Sequence, residues 1–202
     1  MYLVFDTETT GLPLWNQPFE NKYQARVCQL ACMLLDGNFK TIGEFCFLIK
    51  PDGWEIDPRA FEAHGIPQEL CEEYGTSMSN VLPLFEQFMA KANYVIAHNL
   101  RFDSFLMSVE LSRANKPVFD FKSQGVCTML ASTEICKIPH PSKRNTFKWP
   151  KLEEVYKIAF DVEHDNAHDA MADCKATACV FGWLMQQKAI NLSEFQTAEV
   201  KE

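Results

Sequence analysis

The sequence lacks long hydrophobic runs, cysteine pairs of the metal-binding kind and an excess of basic residues. No apolar stretch approaches the ~20 residues that a membrane-spanning helix needs, and the first residues lack the charged start and apolar core of a signal peptide. The eight cysteines include no Cys-x-x-Cys pair, which argues against a zinc ribbon or a thioredoxin-like motif. We therefore expect reduced, mostly buried cysteines, a cytoplasmic location and no membrane partner.

Charge and composition narrow the class of protein further. A net charge of −8 argues against a broad basic surface that coats duplex nucleic acid, but it leaves room for a small nucleic-acid site. With 47% hydrophobic and 12% aromatic residues, the chain has ample material for a packed core. Its 202 residues show no internal repeat and fit one domain. We place that domain at residues 1–190 and expect the polar tail at 191–202 to be frayed.

The most informative stretch is the beginning of the chain, which reads MYLVFDTETTGL. Residues 2–5 are apolar and predict a strand that is buried on both faces. Asp6 and Glu8 follow two residues apart, so a strand that continued through them would point both carboxylates to the same face. Two carboxylates at the end of a buried strand are costly unless they are paired, and Mg²⁺ or Mn²⁺ suits carboxylate oxygens. The alternative is a polar loop that binds nothing.

Other apolar runs and capping signals predict the remaining elements. We expect further strands at 27–35, 42–49, 94–97 and 126–130, with the first three strands of the chain forming an antiparallel meander. We expect helices at 58–64, from an N-cap at Ser79 to about Lys91 with Pro83 near the first turn, from near Asp103 onward, at 152–158 and from about 167 to 188.

Further acidic residues lie at the starts of two predicted helices. Asp103, taken alone, fits an ordinary acid that the helix dipole favours. Residues 164–173 carry two histidines and three aspartates in front of an apolar helix. His168 and Asp173 are five residues apart, ~140° on a regular helix, so a shared site requires His168 to lie on a loop before the helix. Such a movable histidine suits a proton carrier. The alternatives are an N-cap cluster with a surface histidine, or a zinc site of His164, His168 and Cys174.

Two loops carry aromatic or basic residues that suit a ligand. The loop at 13–23 contains Trp15, which either covers the core, the interpretation we favour, or stacks on a nucleobase. Residues 137–151, here called the basic flap, combine five lysines and arginines with Phe147 and Trp149. The basic flap is either a solvated loop or a surface for a phosphate backbone beside an acidic site.

Three segments together resemble the DEDDh family of 3′–5′ exonucleases. FDTETTGL at 5–12 resembles the first exonuclease motif, HNLRFD at 98–103 the second, and HDAMAD at 168–173 the third in its histidine-bearing form. The family includes the proofreading epsilon subunit of bacterial DNA polymerase, ribonuclease T, oligoribonuclease and the three-prime repair exonucleases. The resemblance implies an α/β, ribonuclease H-like fold. Its five-stranded mixed sheet, three antiparallel strands followed by parallel strands, would be flanked by helices.

The resemblance also implies a mechanism and a set of site residues. Two divalent cations, Mg²⁺ or Mn²⁺, would be held ~3.5–4 Å apart by four carboxylates. His168 would act as the general base on the attacking water. The metal ligands would be Asp6, which bridges the two ions, Glu8, Asp103 and Asp173. The substrate-binding residues would be Thr9, Leu12, His98, Asn99 and Phe102, for which plain packing is the alternative.

The activity implied by the resemblance is hydrolysis of single-stranded DNA or RNA from the 3′ end to nucleoside 5′-monophosphates, in proofreading or nucleic-acid processing. A polymerase or replication protein would be a further partner. Two other functions fit the same residues. One is a non-catalytic nucleic-acid or partner-binding module on this fold, which the complete set of acids and the histidine disfavours. The other is a magnesium phosphohydrolase that acts on small nucleotides.

Overall fold

The structure, a computed structural model, describes residues 1–165 and 167–192, without the side chains of Lys122 and Ser123. Its strands are β1 (Tyr2–Thr9), β2 (Val27–Leu35), β3 (Thr41–Leu48), β4 (Tyr94–Ala97) and β5 (Gly125–Cys127). They form one sheet in the order β3-β2-β1-β4-β5. The first three strands are antiparallel, whereas β4 runs parallel to β1 and β5 runs parallel to β4. The expected five-stranded mixed sheet is therefore confirmed.

The central strand β1 carries the first two predicted site residues. Side chains alternate along it, so that Leu3 and Phe5 join the core on one face while Val4 joins the core on the other. By the same alternation, Asp6 and Glu8 point to the face of Val4. The strand extends past the predicted 2–5, but β4 pairs only with its residues 2–4. Asp6 and Glu8 thus lie at the edge of the sheet, beyond the paired length of β4.

Helices cover both faces of the sheet. Within the described residues they are α1 (Pro58–His64), α2 (Gln68–Tyr74), α3 (Met78–Lys91), α4 (Leu100–Arg113), α5 (Phe121–Gln124), α6 (Thr128–Cys136), α7 (Leu152–Phe160) and α8 (Ala170–Gln186). The apolar sides of α3 and α4 pack against the Leu3 face of β1, and those of α7 and α8 pack against the Val4 face. None of these described helices combines the length and apolar character needed to cross a bilayer. The arrangement places α4 and α8 on opposite sides of the central strand.

The predicted fifth strand is wrong at its end. β5 stops at Cys127, and the residues from Thr128 onward form α6 instead of extending the strand to residue 130. The buried Thr128 hydroxyl turns back and lies 3.4 Å from the carbonyl oxygen of Ala97 on β4. A short apolar run does not distinguish a strand from a buried helical turn, which is why the pattern misled here.

Two helix starts also differ from prediction. The N-cap of α3 is Ser77 rather than Ser79, so Pro83 is its sixth residue and lies in the second turn. The last long helix, α8, begins at Ala170 rather than 167, because Asp169 caps it by accepting from the backbone N–H of Ala172 (2.9 Å). Helices α2 and α5 were not expected from the sequence. The predicted tail at 191–202 lies outside the described residues from residue 193 onward.

Candidate active site

Four carboxylates from three distant segments meet at the edge of the sheet where β1 ends. Asp6 and Glu8 come from β1, Asp103 from the first turn of α4 and Asp173 from the first turn of α8. Glu8, Asp173 and His168 each place one potential ligand atom within 4.8 Å of the others. The structure thus brings together the residues that the three motifs single out, including the imidazole assigned to proton transfer.

Asp103 is fixed to the central strand by two hydrogen bonds. The backbone N–H and the hydroxyl of Thr7 both donate to its Oδ1, at 3.0 and 2.7 Å. The side chain of Asp103 is 3% exposed, so these donors supply what water would otherwise provide. The alternation of β1 explains the contact, because Thr7 points to the face that α4 covers while Asp6 and Glu8 point to the face that α8 covers.

The four carboxylates repel one another at close range. Burial raises the pKa of Asp6 well above its usual value, and the charges of Asp103, Asp173 and Glu8 raise it further. Burial and the charges of Asp173 and Asp103 raise the pKa of Glu8 to about 8. Burial likewise raises the pKa of Asp103 to about 7, although the hydrogen bonds from Thr7 oppose the shift. Such a cluster of carboxylate oxygens, which repel one another when ionised, fits a divalent cation. The charge of the cation would stabilise the ionised carboxylates.

Asp173 is held by two donors that precede α8. His164 Nε2 lies 2.5 Å from its Oδ1, and the backbone N–H of His168 donates to its Oδ2 at 3.0 Å. The His164 side chain is only 6% exposed. Each carboxylate oxygen has two lone pairs, so both oxygens retain capacity to bind a cation. The sequence suggests His164 only as a zinc ligand and does not reveal this pairing, since His164 lies outside the three motifs and only the fold brings it to Asp173.

His168 itself lies two residues before α8, with a left-handed backbone (φ 68°) and an exposed side chain. The structure therefore places the imidazole on a loop, as a site shared with Asp173 requires. The alternative zinc site is not formed. The thiol of Cys174 is buried and donates to backbone carbonyls of Val4 and Ala31, away from His164 and His168.

A groove of about 950 Å³ runs from Glu8 along the turn that follows β1. Three predicted substrate-binding residues line it: Thr9, Leu12 and Phe102. Leu12 is 81% exposed, whereas Thr9 is buried and its hydroxyl donates to the carbonyl oxygen of Gly11 (2.9 Å). An exposed leucine beside an acidic centre offers an apolar contact to a ring or sugar.

The other two predicted substrate-binding residues do not line this groove. His98 Nδ1 lies 3.0 Å from the hydroxyl of Thr128, and its Nε2 lies 3.0 Å from the carbonyl oxygen of Pro150. Both ring nitrogens are thus engaged with the protein. Asn99 is exposed and starts α4 with a left-handed backbone (φ 70°). Its geometry fits a turn that aims the first residues of α4 at the acidic centre.

His64, the last residue of α1, lines the groove and was missed from the sequence. Its Nδ1 accepts from the backbone N–H of Ile66 (3.0 Å), which leaves Nε2 to donate to the carbonyl oxygen of Thr9 (3.3 Å). Burial lowers the pKa of His64, so the ring is favoured in its neutral form. The sequence showed only a histidine at a helix end before Gly65, and only the fold brings it next to β1.

An ion network around the buried Arg26 forms the far wall of the groove. Arg26 contacts both oxygens of Glu110, through Nε at 2.8 Å and Nη2 at 3.0 Å, and both oxygens of Asp52 at 2.7 and 3.0 Å. Glu110 is 2% exposed and also accepts from the backbone N–H of Val27. The two forks fix the guanidinium plane and tie α4 to β2.

Trp15 packs against α4 but is 40% exposed, so it covers the core less fully than the favoured interpretation expects. Its ring makes edge contacts with Phe102 and Phe105, with centroids 6.5 and 5.0 Å apart, and the guanidinium of Arg101 lies 4.5 Å above it. The loop at 13–23 therefore covers the outer side of the helix that carries Asp103.

Known proteins share both sequence and fold with this chain. A family model described as exonuclease matches residues 3–181. The chain belongs to the exonuclease family. Among curated relatives of this exonuclease-family chain are 3′–5′ exonuclease DinG of Bacillus subtilis, 26% identical over 180 residues, and exodeoxyribonuclease I of Haemophilus influenzae, 23% identical over 209 residues. A third is DNA polymerase III PolC-type of Lacticaseibacillus paracasei, 28% identical over 194 residues.

These alignments cover most of this exonuclease-family chain but only part of each relative. The alignment with DinG covers 89% of this chain and 17% of DinG. The alignment with exodeoxyribonuclease I covers 96% of this chain and 42% of that protein. The alignment with the PolC-type polymerase covers 93% of this chain and 11% of the polymerase. Solved structures share its fold. Exonuclease I of E. coli in complex with a dT13 oligonucleotide superposes with a TM-score of 0.70 at 24% identity, over 92% of this chain and 40% of that one. Exonuclease X in complex with 5′ overhanging duplex DNA superposes with a TM-score of 0.63 at 21% identity, over 96% of this chain and 97% of that one.

Proposed function

We propose that this chain is a metal-dependent 3′–5′ exonuclease that hydrolyses single-stranded nucleic acid to nucleoside 5′-monophosphates. The observation that carries the proposal is the convergence of Asp6, Glu8, Asp103 and Asp173 beside the imidazole of His168, at the head of the groove. Membership of the exonuclease family supports it.

The four carboxylates would hold two divalent cations, Mg²⁺ or Mn²⁺. When bound, such ions would lower the pKa of an attacking water and stabilise negative charge on the scissile phosphate and the leaving 3′ oxygen. Their binding would also relieve the mutual repulsion that raises the pKa values of Asp6, Glu8 and Asp103.

His168 would take the proton from the attacking water. Its exposed side chain and loop position allow the ring to move, while its backbone N–H keeps the loop joined to Asp173. An imidazole is suited to this exchange near neutral pH. His164 would hold Asp173 in place without touching the substrate.

The terminal nucleotide would lie in the groove that starts at Glu8. Leu12 and Phe102 offer apolar surfaces for its base or sugar, and the neutral ring of His64 lies beside Thr9 at the same wall. Single-stranded DNA is the first substrate to test, because a relative is named exodeoxyribonuclease I and a solved neighbour holds dT13. Association with a polymerase is proposed from the PolC-type relative and is testable by co-elution with a purified polymerase.

The test uses single-stranded DNA and RNA oligonucleotides labelled at the 5′ end and incubated with Mg²⁺ or Mn²⁺. We expect a ladder that shortens stepwise from the 3′ end with release of nucleoside 5′-monophosphates, and no digestion by Asp6→Asn or in excess chelator. Intact oligonucleotides together with hydrolysis of free nucleotides would instead favour the small-nucleotide phosphohydrolase. Binding without any hydrolysis would favour the non-catalytic module.

A further inference from the structure

The basic flap at 137–151 is the segment that connects α6 to α7, and hydrogen bonds join its two arms. The backbone N–H of His140 donates to the carbonyl oxygen of Thr146, and that of Lys148 donates to the carbonyl oxygen of Ile138, both at 2.9 Å. A β-bridge between Pro139 and Phe147 lies between these bonds. The two arms of the flap thus form a short hairpin-like unit with an exposed tip at residues 141–146.

The base of the basic flap is attached to the active site. The carbonyl oxygen of Pro150 lies 3.0 Å from Nε2 of His98, which belongs to the same motif as Asp103. Lys151 caps α7, and its ammonium pairs with Glu153 at 3.2 Å. A strand that leaves the acidic centre on this side would therefore meet the flap.

The charge of the basic flap is opposite to that of the whole chain. It carries five lysines and arginines and no aspartate or glutamate, in a protein of net charge −8. Lys148 and Lys151 pair with glutamates of α7, at 2.5 and 3.2 Å. Within the part of the chain that the structure describes, the exposed side chains of Lys137, Lys143 and Arg144 form no ion pair, so their charge faces solvent.

Trp149 is the feature that a merely solvated loop does not explain. Trp149 is 65% exposed although the backbone on both sides is anchored, by Lys148 to Ile138 and by Pro150 to His98. An exposed aromatic residue in a segment that also carries exposed, unpaired cations is a combination that single-stranded nucleic-acid sites use, because every base presents a face for stacking. The tip residues 139–147 also border an open cleft of about 740 Å³.

We propose that the basic flap binds the single strand upstream of its 3′ end, with Trp149 stacked on a base and Lys143 and Arg144 paired with phosphates. The inference rests on the proposed function for the position of the 3′ end at the acidic centre. The four carboxylates repel the phosphate backbone, so cations outside that centre are needed to hold the rest of the strand. The shared chemistry is a phosphate backbone with unpaired bases, which DNA and RNA both offer.

The test is a binding measurement in EDTA, where hydrolysis does not interfere. The probes are 5′-labelled oligodeoxyuridylate and oligouridylate of about 12 nucleotides, which differ only in the 2′-OH, and their binding is followed by fluorescence anisotropy. We expect Trp149→Ala to weaken binding about 5- to 150-fold, the range for loss of one stacked base, and Trp149→Phe to restore most of the affinity. The double variant Lys143→Gln/Arg144→Gln should lower the slope of log K against log salt by about 1.4, which is ~0.7 for each lost phosphate contact.

The matched control removes two charges at the opposite edge of the sheet. Lys40, in the turn between β2 and β3, and Lys91, at the end of α3, lie near the start of β1. Lys40→Gln/Lys91→Gln should leave the salt slope as in the wild type. Equal affinities and slopes in all variants, or no binding of either oligonucleotide by the wild type, would overturn the inference.

The same experiment separates the flap from the proposed function. If the flap variants lose affinity but the wild type hydrolyses no strand with Mg²⁺ or Mn²⁺, the binding role of the basic flap is supported and the exonuclease function is rejected. If the wild type digests the strand but the flap variants bind as tightly as the wild type, the exonuclease function is supported and the binding role of the basic flap is rejected. A difference between the two probes assigns the strand to DNA or to RNA.

Discussion

Adding Mn²⁺ to the metal-free protein should raise its Tm, and the rise should be larger at about pH 8 than at about pH 5.5. The reason lies in the carboxylates at the edge of the sheet. In the folded protein the pKa of Glu8 is raised from 4.5 to about 8, and that of Asp103 from 3.8 to about 7. At a pH between its ordinary and its raised pKa, each carboxyl group binds more protons in the folded than in the unfolded state. The stability of the metal-free protein therefore falls as the pH rises from about 4 to about 8. A bound cation replaces these protons and restores the stability of the folded protein.

The size of the effect follows from mass action. One ion at a concentration 100 times its Kd stabilises the folded state by about 2.7 kcal/mol. For a chain of about 200 residues, 1 kcal/mol corresponds to ~2–4 °C in Tm, so we expect a rise of about 5–11 °C at about pH 8. At about pH 5.5 protons compete for the same oxygens, and the rise should be smaller.

Differential scanning fluorimetry with EDTA or MnCl₂ across this pH range measures the shift. Asp173→Asn should lose most of it, because one of the four carboxylates is gone. Asp161→Asn is the matched control, since it removes the same charge from a fully exposed side chain after α7. A Tm that does not change with Mn²⁺ at about pH 8, or a rise in Tm in Asp173→Asn as large as in the wild type, would refute the reasoning.

Three further predictions concern proton transfer, the groove wall and backbone crowding. His168→Ala should keep the fold and the Mn²⁺-induced rise in Tm but lower the single-turnover rate about 10²- to 10⁴-fold, and an unchanged rate would reject the general base. Glu110→Ala should lower the free energy of unfolding in urea by about 3–5 kcal/mol, because it leaves the buried Arg26 charge without its main partner; a loss below about 1 kcal/mol would contradict that view. Gly125→Ala places a methyl group against backbone atoms and should cost about 1–3 kcal/mol, whereas Gly182→Ala, in open space on α8, should stabilise by about 0.5–1 kcal/mol; equal urea midpoints would argue against both.

Much of the fold could be predicted from local patterns. Strong periodicity and turn chemistry located β2, β4 and α1 at their observed bounds, the last because Gly65 ends the helix with a left-handed backbone (φ 70°). The patterns failed where a long-range contact decides the structure. Thr128 leaves the strand as the first residue of α6, where its hydroxyl lies 3.0 Å from His98 Nδ1, and β1 continues through Asp6 and Glu8 because β2 pairs with it as far as Thr9.

The candidate site was predictable to the extent that its residues lie in recognisable motifs. The acids and His168 could be named because their spacing resembles a family. His164 and His64 could not, since each acquires its role from a neighbour far away in the chain, Asp173 on α8 in one case and Thr9 on β1 in the other. The engagement of His98 with Pro150 was likewise invisible in the sequence, although it links the basic flap to the acidic centre.

The most direct test of the central claim is diffraction from a crystal soaked in Mn²⁺ and measured at the manganese absorption edge. We expect two anomalous peaks enclosed by the carboxylates of Asp6, Glu8, Asp103 and Asp173, with Asp6 in contact with both. A map without peaks at these four residues, or with peaks only elsewhere on the molecule, would contradict the proposal that they form a two-metal centre.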